Sequence, residues 1–335
     1  MRRRDLLAFG LCYPALVFSG VKYPKVDSNH SLQFPRDHGA HPDFRQEWWY
    51  VTGWLKTARG EDLGFQITFF RARPDIETAN PSSFTPRQIM LAHAALADPK
   101  HGRLRHDERA ARTALDLAGS REGITNVWVD DWVLALEKDS YQARIRARDF
   151  SLELQFEAKS TPLLQGESGF SRKGNGPEEA SYYYSRPHLA VRGTANGQPV
   201  TGTAWLDHEW SSQYMAAGAA GWDWCGLNMD DGSALMAFRM RGKDGGTVYA
   251  PPSTSFKVLR TWRSPRTGAE YPVEVMVRSG ETEVRLQPLM DDQELDARAS
   301  TGTIYWEGAV KAFRGDTPVG RGYLELTGYW KPMKL

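Results

Sequence analysis

From about residue 45 onward the chain alternates apolar and polar side chains, and no long stretch keeps an apolar period near 3.6. Period-two patterning commits a chain to half-buried strands. Trp48-Trp49-Tyr50-Val51-Thr52-Gly53-Trp54-Leu55 is rich in aromatic and β-branched residues, and Arg59-Gly60-Glu61-Asp62 is a polar turn. Then Phe65, Ile67 and Phe69 alternate with Gln66, Thr68 and Phe70, so the two runs predict a hairpin. Similar patterns predict strands at 127–137, 141–148, 149–158, 187–193, 200–206, 255–262, 271–278, 282–288, 302–313 and 320–330. Asn196-Gly197 between two of these is a type I′ turn signal. A short helix is expected only at 211–219. The fold class is all-β.

The first hairpin has an echo. Gly221-Trp222-Asp223-Trp224-Cys225-Gly226-Leu227-Asn228, the turn Asp230-Asp231-Gly232, and Phe238-Arg239-Met240-Arg241 follow the plan of Trp49 to Leu55 and Phe70-Arg71-Ala72-Arg73. Glu47-Trp48 opens the first copy and Glu209-Trp210 precedes the second. This reads as a diverged tandem duplication. A length of 335 residues accommodates two such halves, each with its own core.

Arg2-Arg3-Arg4 followed by an apolar run to Val17-Phe18 reads as a signal peptide over 1–22, and Arg3-Arg4-Asp5-Leu6-Leu7 has the look of a twin-arginine signal. The run is too short to span a bilayer as a helix, and a periplasmic or exported location is expected. Cleavage would remove Cys12 and leave Cys225, for which a buried structural role is expected over a nucleophilic one. A formal net charge of +1 argues against a nucleic-acid partner. The aromatic content, 12 Trp, 13 Tyr and 14 Phe, suits a hydrophobic small-molecule partner.

Polar groups gather among aromatics in Arg45-Gln46-Glu47-Trp48-Trp49-Tyr50, in Trp205-Leu206-Asp207-His208-Glu209-Trp210-Ser211-Ser212, and in Gly221-Trp222-Asp223-Trp224. A carboxyl buried among indoles has a raised pKa and can serve as a general acid near neutrality. Indole faces would steady a cation. Together these suit protonation of a C=C bond and capture of the cation by water. Spacing alone, however, favours structural ion pairs for Glu47 and Glu209. Asp37-His38-Gly39-Ala40-His41 lacks a metal-site pattern, so no metal is expected. His93, inside Leu91-Ala92-His93-Ala94-Ala95, reads as a hydrogen-bonded core residue. No Gly-x-Ser-x-Gly elbow occurs. The glycine-rich loop after Leu163-Leu164-Gln165-Gly166 leads into Ser181-Tyr182-Tyr183-Tyr184-Ser185 and reads as a site-lining segment.

His41-Pro42-Asp43-Phe44-Arg45-Gln46-Glu47-Trp48-Trp49-Tyr50-Val51-Thr52-Gly53, Leu163 to Gly166, Ser181 to Ser185, Trp205 to Trp210 and Gly322-Tyr323-Leu324-Glu325-Leu326-Thr327-Gly328-Tyr329 together resemble the carotenoid 1,2-hydratase, or AttH-like, family. The resemblance runs from about residue 25 to the end. It implies two lipocalin-like antiparallel β-barrel domains, here 23–194 and 195–335, and cofactor-free addition of water to a C=C of an isoprenoid-type ligand. The family's His-x-Trp pair matches His208 and Trp210; the nearest aromatic-x-Asp elements are Trp222-Asp223 and Met229-Asp230-Asp231. Under this reading Asp223 or Glu209 donates the proton and His208 handles water. Trp210, Trp222, Trp224, Glu47, Trp49, Tyr183 and Tyr184 would line the ligand site. The alternative is a non-catalytic periplasmic carrier or chaperone for a lipid, associated with membrane export machinery.

Overall fold

The computed structural model describes residues 21–75, 85 and 87–333, so all but the end of the expected targeting segment lies outside them. Strands β1 (Gln46–Thr57) and β2 (Asp62–Ala72) form the predicted hairpin, with Trp48 opposite Phe70. It is extended outward by β3 (Ile89–Ala97) and β4 (Arg105–Arg112). The alternation rule does not find β3, because its residues are mostly buried whichever face they occupy. Short strands β5 (Ala118–Ser120) and β6 (Asn126–Val129) precede the meander β7 (Trp132–Glu137), β8 (Ser140–Arg146) and β9 (Ser151–Glu157). Two small pieces, β10 (Leu163–Leu164) and β11 (Phe170–Arg172), pair with β12 (Ala180–Ala195). β12 turns into β13 (Gln198–Gln213) at Asn196-Gly197, where φ is 52° and 72°, as a type I′ turn requires.

The strand order β4-β3-β2-β1-β13-β12-β9-β8-β7-β6-β5 curls until β4 approaches β5 and β6, giving a barrel-like domain. Its core is filled with rings and aliphatic groups, among them Trp49, Trp132, Tyr141, Phe156, Tyr184 and Trp210. The second domain comprises β14 (Gly221–Met229), β15 (Ala234–Arg241), β16 (Thr247–Tyr249), β17 (Thr254–Arg263) and β18 (Glu270–Ser279). It continues through β19 (Thr282–Pro288), β20 (Glu294–Ala297), β21 (Thr303–Arg314) and β22 (Thr317–Leu326). Its order is β16-β15-β14-β22-β21-β19-β18-β17, and Ser279 Oγ donates to the Met236 carbonyl at 3.2 Å where the curled sheet nears itself. The fold is thus all-β with two lipocalin-like domains.

Two expectations need correction. A boundary at 194/195 would cut the β12–β13 hairpin, whose arms both belong to the first sheet; the second sheet begins at Gly221. The helix expected at 211–219 does not form. β13 runs on to Gln213 because β1 pairs with it along its whole length, and turns follow. The helical content of the described residues is a 3-10 turn at Arg36–His38.

The two hairpins correspond, in a register set by cross-strand pairs. Trp224 faces Phe238 as Trp48 faces Phe70, and one step outward Asp223 faces Arg239 as Glu47 faces Arg71. Between the barrels lies a third core of Tyr50, Trp54, Trp205, Tyr214, Trp224, Phe238, Met240 and Tyr323. Trp54 Nε1 donates across this seam to the Gly322 carbonyl at 2.9 Å, Tyr50 donates to Glu307, and His93 Nδ1 stands 2.8 Å from the Tyr305 hydroxyl.

The seam is tight at Gly64, where a Cβ would lie 2.6 Å from Ala309 Cβ and 2.7 Å from the Tyr323 hydroxyl. Gly64→Ala should therefore overpack the interface and cost about 1–3 kcal/mol. Thermal unfolding measures this; an unchanged midpoint would show that the barrels part without resistance.

Candidate functional site

A cavity of about 840 Å³ opens between the two barrels, a size suited to a drug-sized or lipid-sized molecule. Its walls carry Trp48, Tyr50, Phe70, Tyr214, Trp222, Trp224 and Phe238. The chemistry comes chiefly from β13. On a strand, alternate residues face opposite ways. Trp205 joins the seam core, and Asp207 and Glu209 line the cavity. Leu206 and Trp210 are in the first barrel's core, and His208 stacks there on Trp49 with centroids 4.8 Å apart.

Asp207 is 3% exposed and has no cationic partner among the described residues. It accepts hydrogen bonds from the Tyr183 hydroxyl at 2.6 Å, Ser185 Oγ at 2.5 Å and Trp205 Nε1 at 2.6 Å. Burial pushes its pKa up to about 7 despite these donors, and the Glu209 charge adds to the rise. Tyr183 in turn accepts from Trp224 Nε1 at 3.1 Å, so an interdomain chain of donors ends on the Asp207 carboxyl.

Glu325 reaches the same cavity from β22 and accepts from Trp222 Nε1 at 2.7 Å. Burial, aided by Asp207 and Glu209, also pushes it up to about 7. Behind it Glu307 is fully buried and held well above the carboxylate range by burial and by Glu325. Glu209 differs. Lys173 Nζ stands 2.7 Å from its Oε1, and Ser181 donates to the same oxygen. Lys173 is itself 3% exposed and lies over the rings of Tyr183 and Phe238 at 4.8 and 4.3 Å. One cavity therefore holds an ion-paired carboxylate beside two carboxyls that keep their protons up to neutrality.

The residues expected from the sequence are not all brought together. Glu209, Tyr183, Trp222 and Trp224 line the cavity, and Glu47 touches its edge. His208, Trp210, Trp49 and Tyr184 face the interior of the first barrel instead. His208 Nε2 lies 2.9 Å from Glu47 Oε1 and its Nδ1 lies 3.1 Å from the Tyr184 hydroxyl, which also meets His38 Nδ1 at 3.0 Å. Burial pushes His38 down to about 4. Burial alone would raise Glu47, but Arg71, at 2.8 Å, with His41 and His208 holds it well below the usual carboxylate range. Glu47 is thus the ion-paired carboxylate that spacing favoured.

Asp223 is separated from His208 altogether. It faces the second barrel, where Arg239 Nε and Arg241 Nε each donate to it at 2.7 Å and the Tyr329 hydroxyl adds a third contact at 3.0 Å. A carboxylate so engaged ties strands together and is aimed away from the cavity. Cys225, beside it, is buried, and burial pushes its thiol up to about 12, which fits a structural role.

Ligand atoms of His41, Glu47 and His208 lie within 4.8 Å of one another. Both imidazoles already meet Glu47 Oε1, however, and the Arg71 guanidinium holds Oε2. A divalent ion there would sit beside a fixed positive charge, so the donor set fits a hydrogen-bonded node better than a metal.

Sequence reasoning passed over Asp207, Glu325, Glu307 and Lys173. Asp207 and Glu325 both lay inside motifs already singled out. The signal available was parity: Asp207 shares the face of Glu209, and His208 does not.

A profile of the AttH-like family matches residues 25–329. The crystal structure of a Nitrosomonas europaea protein assigned as AttH is 52% identical, covers 91% of this chain and 99% of its own, and superposes with a TM-score of 0.85. Kievitone hydratase from Nectria haematococca shares the fold at 14% identity, covering 92% of this chain and 97% of its own, with a TM-score of 0.63. No curated protein matches the sequence.

The site makes a prediction about pH. A carboxyl with a raised folded-state pKa keeps its proton while the unfolded chain loses it, so its contribution to stability falls as pH rises from about 4 to 7. Asp207 and Glu325 act in this sense. Glu47 and His38 act in the opposite one, losing stability as pH falls below about 4.5 and 6.5 respectively. Comparing wild type with Asp207→Asn isolates one group. The variant should gain on the wild type across pH 4–7 by as much as about 4 kcal/mol. Urea unfolding at stepped pH measures the difference, and parallel profiles would contradict a protonated Asp207.

Proposed function

The chain belongs to the AttH-like family, and on that premise we propose that its interdomain cavity catalyses cofactor-free addition of water to a C=C bond of an apolar, isoprenoid-type ligand. The observation that carries the reading is the pairing of Asp207, protonated up to about pH 7, with ion-paired Glu209 in one aromatic cavity. Two titratable groups whose environments differ in this way have the makings of an acid and a base. The fold hosts a hydratase elsewhere, but the argument rests on the site.

Asp207 transfers its proton to one alkene carbon, and the positive charge develops on the more substituted neighbour. The π-faces of Trp48, Trp222 and Trp224 stabilise that charge. A water molecule adds to the cation and gives up a proton to Glu209. Alkene and water become an alcohol, and the proton held by Glu209 restores Asp207. Residues two apart on a strand have Cα atoms about 7 Å apart, which leaves room for substrate and water between acid and base. Lys173, 2.7 Å from Glu209 Oε1, positions that carboxylate. Glu325 and Trp222 shape the opposite wall.

An exported location is part of the proposal; the basic and apolar first twenty residues support it. The carrier reading shares the cavity but uses no proton transfer, and it is separated by experiment. Incubation with prenylated alkenes in D2O should give an alcohol carrying one carbon-bound deuterium. Asp207→Asn should lower that rate by about 10²–10⁴ while still binding the ligand. His208→Gln, assayed on folded protein, should leave turnover largely intact because the side chain does not face the cavity. Ligand retained with no deuterium incorporated would favour the carrier; full activity in Asp207→Asn would place the acid elsewhere.

A further inference from the structure

The mouth of the cavity carries free positive charge that its floor lacks. Arg45 immediately precedes β1, Arg73 immediately follows β2, Lys243 lies just beyond β15, and Lys331 follows β22; all four line the opening. Arg45, Lys243 and Lys331 are exposed and form no ion pair with any described residue. Arg73 contacts Asp43 at 3.4 Å, and among the described residues Asp75 is the acid that lines the same rim. Deeper in, the titratable side chains are mainly carboxyls: Asp207, Glu209 and Glu325, with Lys173 taken up by Glu209. A ligand with an anionic end is attracted at the mouth, while the floor, with two protonated carboxyls and a closed ion pair, offers it no free cation, so it enters in one orientation. A neutral chain has no such preference.

The depth is readable from the strands. Arg45 lies five residues from Tyr50 along β1, and Tyr50 is the cross-strand partner of Asp207. Five residues of strand span about 17 Å, the reach of roughly three isoprene units. Building on the hydratase reading, we propose that the ligand is an amphiphile with an anionic head group, a carboxylate or phosphate, held among Arg45, Arg73, Lys243 and Lys331. Its tail crosses the aromatic waist and presents a distal C=C to Asp207. The cations at the mouth determine specificity and take no part in the chemistry.

The test is equilibrium binding followed by tryptophan fluorescence, which needs no turnover, with farnesoate, farnesyl monophosphate and farnesol as probes on the full-length protein. At low ionic strength the anions should bind about tenfold more tightly than the alcohol, and the margin should shrink as salt screens the mouth. Lys243→Gln/Lys331→Gln, two exposed positions away from the acid and base, should cut the margin to about twofold while leaving farnesol affinity unchanged. Whichever anion binds more tightly identifies the head group. Farnesol binding as tightly as farnesoate, or a margin that survives in the double variant, overturns the head-group inference and leaves the hydratase reading standing. Failure of all three probes to bind overturns both.

Discussion

The period of two along β13 governs what this molecule can do. This strand closes the first barrel and also forms one wall of the seam, so consecutive side chains enter different environments. Leu206, His208 and Trp210 complete a dry core of rings; Trp205, Asp207 and Glu209 face the second domain. A slip of one residue would exchange the two sets. The register is fixed from both sides. β1 sets Trp49 against His208 and Tyr50 against Asp207, and the two-residue turn at Asn196-Gly197 fixes β12. The aromatic packing of the first barrel therefore holds the cavity's carboxyls in place, although it touches no ligand.

Burial has opposite consequences for the carboxyls on the two sides of that wall. Glu47 and Asp223, at matching places in the two hairpins, each meet arginine in contacts that tie strands together inside a barrel. Removing one partner of such a pair strands a charge in a low-dielectric core, a cost of about 3–5 kcal/mol. Asp207 and Glu307, buried, and Glu325, half-buried in the cavity wall, meet no cation among the described residues and resolve the same desolvation cost by keeping their protons. The two hairpins share the structural nodes, while the carboxyls that keep their protons lie where the two domains meet.

Much of the fold was legible in the sequence, because alternation and turn residues report local geometry. The hairpins at 46–72 and 221–241, the turn at Asn196-Gly197 and most later strands follow directly from it. The signal failed where local pattern is silent. β3 lies in a largely buried environment and shows no alternation, and the β12–β13 hairpin resembles a domain junction until pairing with β1 assigns it to the first sheet. The site was half legible for a related reason. Carboxyls beside indoles do have raised pKa values here, but they are Asp207 beside Trp205 and Glu325 beside Trp222. Spacing shows that Asp207 and Glu209 share a face and His208 does not. Which face looks onto the second barrel is a tertiary fact, and the His-x-Trp motif drew attention to the other one.

Filling both barrels with their own side chains moves the cavity to the interface. Trp49, Trp132, Tyr141 and Trp210 occupy the first interior, and Tyr271 and Trp306 the second. A single barrel of about eight strands can hold a small molecule only if its inward residues leave room for one. In this protein the described cavity takes Asp207 and Glu209 from one domain and Glu325, Trp222, Trp224 and Phe238 from the other. Neither barrel has the site alone. The Trp224–Tyr183–Asp207 chain makes the dependence chemical as well as spatial, because a donor of the second domain ends on the proton-bearing carboxyl of the first. Loosening the seam would let water reach Asp207 and lower its pKa, so that the carboxyl would no longer hold a proton to give near neutrality. The tight approach of Gly64 to Ala309 and Tyr323 is therefore part of what keeps that proton available.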